Sequence, residues 1–279
     1  MLQAFKAVRK TKKLQAFLRK VDARLRMYGD DRHGNLDEPL DELVFILLSA
    51  QTEEYLYRKT FQDLKDYFSE WEQLLDAPEE KIAQVIRHGG LSRKKASQLK
   101  GAFRQIHHDI GRLSLDFLRD MSDEEALQYL TSLPGIGAKS AKCILMYSLA
   151  RPVFPVDTHV WRVSRRLGIT PPVPKANDVQ KQELEQLVPE DLRYRLHVNM
   201  ISHGRQTCTV YWPKCDDCVL ADMCPSKGLS DVIWSQWRQP QGVWRMASEE
   251  SSHNSRTATS TKLDKCEPLK DTKVPKKRG

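Results

Sequence analysis

Four cysteines near the end of the chain constrain its fold more than any other feature. They follow the spacing C-x6-C-x2-C-x5-C and are Cys208, Cys215, Cys218 and Cys224. Four thiolates so close together, with no histidine among them, indicate a metal centre, and soft sulfur ligands suit either tetrahedral zinc or an iron–sulfur cluster. A disulfide framework is the alternative, but nothing in the sequence marks a secreted protein. This segment is therefore predicted to fold around a metal.

Length and charge limit the classes of protein that fit the sequence. The chain has 279 residues and a net charge of +8, which favours a polyanionic partner such as nucleic acid. No run approaches the roughly 20 apolar residues of a membrane span, and the N-terminal region lacks the apolar segment of a signal peptide. These features predict a soluble, intracellular protein that has no membrane partner.

Apolar spacing predicts helices along the body of the chain and no strand. A basic amphipathic helix is predicted over residues 1–27, with its apolar face formed by Leu14, Phe17, Leu18, Val21 and Leu25. Residues 39–50 are apolar on nearly every face and are predicted to form a central core helix. Further helices are predicted over residues 53–68, 71–75, 79–87, 93–108, 114–119, 123–132, 138–150 and 157–167. The fold class is therefore all-α, and the polar residues after 228 are predicted to form a disordered tail.

A glycine-containing turn joins two of the predicted helices. It reads Leu133-Pro134-Gly135-Ile136-Gly137. Its glycines allow positive φ and a close approach of the backbone to a ligand, and the first amides of the next helix lie at its positive dipole end, where a phosphate would bind. An ordinary helix–helix turn, with Leu133 and Ile136 as core residues, is the alternative interpretation.

Three motifs in this order resemble the endonuclease III family of helix-hairpin-helix DNA glycosylases. They are the turn with Lys139 after it, the segment Phe154-Pro155-Val156-Asp157-Thr158-His159, and the four-cysteine loop; the resemblance covers about residues 22–227. It implies a six-helix barrel domain (32–151, with the hairpin at 123–150) inserted into an iron–sulfur cluster domain (1–31 and 152–228), followed by the tail 229–279. It also implies a 4Fe-4S cluster on the cysteines rather than zinc. The expected partner of this monomer is double-stranded DNA with damaged bases or abasic sites.

The resemblance implies a catalytic pair, the nucleophile Lys139 and the carboxylate Asp157. An amine that attacks C1′ forms a Schiff base with the opened sugar, and β-elimination of the 3′ phosphate follows, so a lysine nucleophile implies lyase activity. The helix N-terminus and burial are expected to lower the pKa of Lys139. Asp157, otherwise a helix N-cap, would stabilise positive charge on the sugar. The expected activity is removal of oxidised pyrimidines from duplex DNA, with cleavage 3′ to the abasic site.

Other residues match positions from which the family contacts DNA. Gln51 and Leu91 match the side chains that fill the gap left by the flipped nucleotide. The basic run 93–95, which begins with Arg93, is expected to bind phosphates. His159 is either a DNA contact or a packed structural histidine. The remaining expected contacts are the hairpin residues Gly135, Ile136 and Gly137, and Lys214 in the cysteine loop.

Departures from the family pattern leave rival functions open. Adenine glycosylases are disfavoured because they lack the lysine, have a glutamate where this chain has Ile46 and carry a further C-terminal domain. A mismatch thymine glycosylase, which shares the hairpin, aspartate and cluster but differs at the lysine position, stays an alternative. A glycosylase of the same fold for another lesion is also an alternative, because Glu53 and Glu54 stand where enzymes for oxidised pyrimidines have Thr-Asp. A non-enzymatic DNA-binding or redox module would not require Lys139 and Asp157. The expected location is the cytoplasm, at the nucleoid, in a bacterium, with the nucleus or an organelle as the alternative.

Overall fold

The computed structural model describes residues 12–228, and this part of the chain is all-helical, as predicted. The α-helices are α1 (Lys12–Leu25), α2 (Pro39–Ser49), α3 (Glu54–Tyr67), α4 (Glu72–Asp76), α5 (Glu79–Val85), α6 (Ser92–Ile110), α7 (Asp123–Ser132), α8 (Ala138–Tyr147), α9 (Thr158–Arg166), α10 (Asp178–Leu187) and α11 (Glu190–Gln206). Short 3-10 helices occupy Arg26–Tyr28, Arg87–Gly89 and Asp116–Asp120. The start of the predicted N-terminal helix and the predicted disordered tail lie outside the described residues.

Local sequence signals explain where several helices begin and end. Ser122 and Glu125 form a capping box at the start of α7, and Asn177 and Gln180 form another at the start of α10. Gly111, in the left-handed region with φ 74°, ends α6. These groups satisfy amides and carbonyls that a helix leaves unpaired at its ends. Capping therefore fixes boundaries that apolar spacing gives only to within a residue or two.

The helices differ from the sequence prediction in two places. The segment predicted as a helix over residues 114–119 forms only the short 3-10 helix Asp116–Asp120. The sequence also gave no prediction for α10 and α11, although α11 has 17 residues. Most of the middle and end of α11 is buried, so its apolar residues do not form the one-sided stripe that identifies an amphipathic helix.

Two hydrophobic cores organise the described residues. The first lies among α2 to α8, and the second lies among α1, α9, α10 and α11 together with Leu220 after the third cysteine of the loop. Helix α11 packs into both, with Val198 in the first core and residues such as Leu196 and Met200 in the second. None of the described helices has the length and apolar character of a membrane span. The shared helix brings segments distant in sequence to a common boundary.

Candidate active site and cysteine loop

A cavity of about 160 Å³ lies where the two cores meet. Lys139 and Asp157 both line it, although one belongs to α8 and the other precedes α9. Further wall residues come from α2, α3, α8 and α11 and include Phe45, Ile46, Tyr57, Cys143, Tyr147, His197, Ile201 and Arg205. This volume far exceeds the roughly 10–15 Å³ that one water molecule needs. The structure thus brings the two residues predicted to be catalytic into one space with room for a ligand.

The hairpin before α8 presents open backbone to solvent. Gly135 has φ 85°, and a Cβ atom there would come within 2.8 Å of Gln98 Cδ and Leu47 Cδ2, so the turn requires glycine. Gly137 is the N-cap of α8; no side chain caps this helix, and a Cβ atom at Gly137 would meet nothing within 4 Å. An uncapped, exposed helix N-terminus is a suitable binding site for an anion.

Ile136, between these glycines, faces the other way. Its side chain lies in the first core and is only 4% exposed, and Leu133 is buried beside it. The Ile136 amide donates a hydrogen bond to the Leu133 carbonyl at 3.1 Å. The interpretation of these two side chains as core residues is therefore the one that the geometry supports. The surface of the hairpin is formed by backbone at the glycines rather than by the side chain of Ile136.

The cavity favours the ammonium form of Lys139. Cys143, one turn further along α8, contributes most to raising the pKa of Lys139; Asp157 and Glu42 add to the effect, and burial acts against it. Burial raises the pKa of Cys143 to about 11 and that of Glu42 to about 8. Both are therefore protonated near pH 7, and Asp157 is the lasting counter-charge. The expectation that the pKa of Lys139 is lowered is wrong, because Cys143 on the same helix and Asp157 at the start of α9 both raise it and together outweigh burial.

Asp157 is both the N-cap of α9 and the charged partner of Lys139. Its Oδ1 accepts a hydrogen bond from the Val160 amide at 2.7 Å. Burial opposes its ionisation, but His159, His197, Lys139 and the Val160 amide together lower its pKa below the usual range. Burial brings the pKa of His197 to about 4 and lowers that of His159, so both imidazoles are neutral near pH 7. Lys139 and the Val160 amide therefore keep Asp157 ionised there.

Sequence reasoning missed two buried groups that influence Lys139. Cys143 is 1% exposed and lines the cavity. Its spacing of four residues from Lys139 on one helix was the available signal. Glu42, in the first turn of α2, is fully buried; its Oε2 accepts the Leu36 amide at 2.7 Å, and its Oε1 has no hydrogen-bond partner within residues 12–228. An acidic residue in a first turn gives no hint of such burial.

His159 packs against α11. Arg162 Nη2 lies 3.1 Å from His159 Nδ1, and a Cβ atom at Gly204 would come within 2.9 Å of the His159 ring nitrogen Nδ1. Glycine at position 204 therefore makes room for the imidazole. This packing accounts for His159 as a structural residue, and its contact with DNA stays a prediction.

Gln51 and Leu91 share a rare backbone conformation at the surface. Their φ values are 52° and 50°, in the left-handed region that costs a non-glycine residue about 1–2 kcal/mol. Leu91 is 49% exposed, so packing does not compensate for its strain and it is not a core residue. Strained residues that the surrounding structure holds in place cluster at functional sites. Both residues predicted to fill the gap in DNA are thus fixed at the surface by their turns.

The basic run after Leu91 divides into exposed and buried residues. Arg93 and Lys94 are exposed at the start of α6. Lys95 is only 2% exposed, and its ammonium donates three hydrogen bonds within the protein. Burial lowers its pKa to about 8. The expectation that the whole run binds phosphates is therefore wrong for Lys95, because its donors are already used, whereas the role of Arg93 stays a prediction.

The four cysteines line one small cavity of about 30 Å³ beside the second core. They are free thiols, which excludes the disulfide alternative. Arg166 Nη1 donates to Cys208 Sγ at 3.1 Å and the Leu220 amide to Cys218 Sγ at 3.4 Å, as donors around ligating sulfurs do. In residues 12–228, no three His, Cys, Asp or Glu side chains form a group that could hold a metal ion. The four thiols nevertheless line one shared cavity.

The segment 209–214 of the cysteine loop presents large aromatic side chains to solvent. Tyr211 is 64% exposed and Trp212 is 85% exposed. Arg166 holds the backbone of this segment by donating to two of its carbonyls, at 2.7 and 3.0 Å. Lys214 is exposed at the end of the segment. Its contact with DNA stays a prediction.

Solved structures identify the class of protein that has this fold and site. A non-covalent complex of endonuclease III with DNA matches with a TM-score of 0.66 and 26% identity, over 76% of this chain and 96% of the other. A thermostable thymine-DNA glycosylase matches with a TM-score of 0.64 and 20% identity, which shows the fold alone. The fold is that of the helix-hairpin-helix DNA glycosylases, and the likeness to a DNA complex supports DNA binding.

Sequence comparison gives the family. Residues 44–190 match the HhH-GPD superfamily of base excision DNA repair proteins. The Arabidopsis thaliana protein At3g47830, which carries a provisional DNA glycosylase name, is 37% identical over 70% of this chain and 67% of its own length. Endonuclease III of Bacillus subtilis is 31% identical over 67% of this chain and 80% of its own length. The Arabidopsis thaliana DNA glycosylase/AP lyase ROS1 is also 31% identical, but the matched region is only 12% of its length. The chain belongs to the HhH-GPD superfamily and is endonuclease III-like, and these relatives support glycosylase and lyase activity.

Proposed function

We propose that this protein is a bifunctional DNA glycosylase and AP lyase that removes oxidised pyrimidines from duplex DNA and cleaves 3′ to the abasic site. The observation that carries the proposal is the cavity shared by Lys139 and Asp157 beside the uncapped N-terminus of α8. A protein that only holds DNA has no need of a lysine and a carboxylate in one cavity. The names of the relatives, DNA glycosylase/AP lyase and endonuclease III, point to the same chemistry.

The reaction begins with loss of a proton from the Lys139 ammonium. The Asp157 carboxylate and water in the cavity are the available acceptors. The neutral amine then attacks C1′, the N-glycosidic bond breaks with its electron pair leaving on the base, and Asp157 stabilises the positive charge that develops on the sugar. The departing base takes up a proton, the amine adduct loses its protons, and the C1′–O4′ bond breaks with O4′ taking up a proton, which opens the sugar to a Schiff base. The Schiff base acidifies the C2′ proton, and its removal expels the 3′ phosphate. One lysine therefore serves both the glycosylase and the lyase steps.

DNA is bound on the face that carries the hairpin and the two strained turns. The amides at the start of α8, beside Gly135 and Gly137, bind a backbone phosphate. Arg93 and Lys214 add positive charge for further phosphates. The target nucleotide leaves the stack and enters the cavity, and Gln51 and Leu91 occupy the space that it vacates. The protein supplies both a pocket for the extruded nucleotide and side chains for the gap.

We propose that the four cysteines hold a 4Fe-4S cluster. Thiolates bound to one zinc ion, with bonds of about 2.3 Å, lie within about 4.6 Å of one another, whereas a cubane separates them further. Four free thiols that line one cavity, at the spacing of the family's cluster loop, support this assignment. Hydrolysis of a glycosidic bond is not a redox reaction, so a cluster bound by these cysteines would serve to hold the segment 209–214 in shape. Protein purified without oxygen is expected to contain iron and acid-labile sulfide in equal amounts.

Borohydride trapping tests the proposed reaction. Borohydride reduces a Schiff base to a stable amine, so wild-type protein is expected to form a covalent adduct with a duplex that carries an oxidised pyrimidine and with an abasic-site duplex. Lys139→Gln is expected to form neither adduct, and Lys20→Gln, at an exposed position of α1, is expected to form both. Trapping on a T:G mismatch instead of the oxidised pyrimidine would favour a mismatch thymine glycosylase. Bound DNA without any adduct would overturn the nucleophile assignment.

A further inference from the structure

Lys95 is a buried cation whose N–H donors are used entirely within the protein. Its ammonium donates to the Leu48 carbonyl at 2.7 Å, to Thr52 Oγ1 at 2.6 Å and to the Gly89 carbonyl at 2.9 Å. None of these acceptors is a carboxylate, so burial of the charge is offset only by neutral hydrogen bonds. An apolar side chain would fill the same space without that penalty. The position of the three acceptors indicates what the ammonium does.

Two of the acceptors of Lys95 belong to the turns that carry Gln51 and Leu91, and the third, Leu48, lies in the last turn of α2, just before Gln51. Thr52 directly follows Gln51, and Gly89 lies two residues before Leu91. Thr52 Oγ1 also donates to the Gly89 carbonyl at 2.7 Å, which closes a small network between the turns. A Cβ atom at Gly89 would come within 2.7 Å of Thr60 Oγ1, so the second turn is held tightly against α3. The network makes the two turns one unit.

The backbone at Leu91 shows why such a unit is needed. Gln51 and Leu91 are both in the left-handed region, and neither is a glycine. A strained conformation persists only where the surrounding contacts favour it. The Lys95 amide donates to the Leu91 carbonyl at 2.9 Å, while its ammonium holds Gly89 on the other side of the turn. Lys95 therefore makes hydrogen bonds to the turn of Leu91 through both its amide and its ammonium, and the ammonium also links this turn to that of Gln51.

We propose that Lys95 is a positioning residue that fixes Gln51 and Leu91 relative to each other so that both enter a duplex together. The inference rests on the proposed function, because it assigns Lys95 to the extrusion step of that reaction. Lys95 itself does not touch DNA. Its loss should impair extrusion of a stacked, paired base, and it should spare abasic sites, where no base has to leave the stack.

Lys95→Met removes the donors and keeps the length of the side chain. The matched control is Lys100→Met, because Lys100 lies on the same helix, is 5% exposed and donates to the Ala77 carbonyl, away from both turns. Extrusion is measured as the fluorescence rise of 2-aminopurine next to the lesion, in the non-cleaving Lys139→Gln background. Single-turnover cleavage rates are measured separately, in protein that keeps Lys139, on lesion and abasic duplexes. The fraction of folded protein cancels in the ratio of the two rates.

Lys95→Met is expected to lower the ratio of the lesion rate to the abasic rate about ten-fold. This factor corresponds to the free-energy cost of holding one residue in the left-handed region. Lys100→Met is expected to leave this ratio unchanged. In a Gln51→Ala, Leu91→Ala background, Lys95→Met should have little further effect, because it acts through those side chains. Equal losses on both duplexes, or an additive effect in that background, would overturn the proposal.

The fluorescence measurement separates failure of this inference from failure of the proposed function. If the wild-type protein cleaves none of the duplexes, the proposed function fails. A fluorescence rise that Lys95→Met reduces and Lys100→Met preserves would still support the positioning role. A rise that is the same in both variants, or no rise at all, would overturn it.

Discussion

Substitution of Glu42 by glutamine should change how stability depends on pH. Burial raises the pKa of Glu42 from 4.5 to about 8, and at about 1.4 kcal/mol per pKa unit this difference corresponds to about 5 kcal/mol. The unfolded chain ionises near pH 4.5, while the folded protein keeps the proton until about pH 8. The contribution of this group to the free energy of unfolding is therefore full below pH 4.5 and is lost as the pH rises towards 8.

Glutamine cannot ionise and still offers an oxygen to the Leu36 amide. The free energy of unfolding of the wild type, minus that of Glu42→Gln, should fall by about 2.5 kcal/mol between pH 5 and pH 7. Urea denaturation followed by the helical circular dichroism signal at three pH values measures this difference. Glu124→Gln, at an exposed position of α7, is the control and should show no such trend. A difference that stays constant within about 0.5 kcal/mol, or that increases with pH, would refute the reasoning.

Three further predictions concern the site. Asn caps helices as well as Asp does, so Asp157→Asn should keep the melting temperature of the wild type. Its single-turnover cleavage of an abasic duplex should slow at least about 100-fold. Unchanged cleavage would mean that Asp157 acts only as a helix cap. Gly137→Ala should fold normally, because the φ of Gly137 is −94° and its surroundings are open. If amides at the start of α8 bind phosphate, this variant should nevertheless bind duplex DNA about ten-fold more weakly, as measured by fluorescence anisotropy. Gly135 has φ 85° and contacts at 2.8 Å, so Gly135→Ala should instead lose about 1 kcal/mol or more of stability in the same urea assay. Cys218→Ala should lose its iron in metal analysis, and retention of a full complement would contradict the cluster assignment.

The parts of the site that sequence predicted well are those set by local spacing. The turn around Gly135, the N-cap at Asp157 and the apolar helix α2 each depend on residues within a few positions of one another, and all three occur as expected. The direction of the pKa shift of Lys139 depends first on Cys143 on the same helix and then on Asp157, 18 positions away in the chain, and was predicted wrongly. Helix dipole and burial are visible in a sequence, whereas a counter-charge supplied by tertiary packing is not.

Buried polar residues were the least accessible to sequence reasoning. Lys95 lies in a basic run that reads as a solvated surface, yet its acceptors come from segments 6 to 47 residues away. Glu42 reads as an acidic residue at a helix start, yet it is fully buried. A pattern of polar and apolar residues reports exposure only where one side of a helix faces water. Burial on several sides is therefore the reason why sequence reasoning identified neither α11 nor these buried polar residues.

Helix α11 is shared by both hydrophobic cores, and this arrangement governs how the protein unfolds. If the second core opened alone, α11 would leave with it and expose Val198 and its neighbours in the first core; the reverse holds for Leu196 and Met200. Neither core can melt without a loss of apolar burial in the other. Calorimetry of the intact chain should accordingly give one cooperative transition for the helical body, and damage to the cysteine loop should lower the temperature at which the cavity of Lys139 and Asp157 is lost.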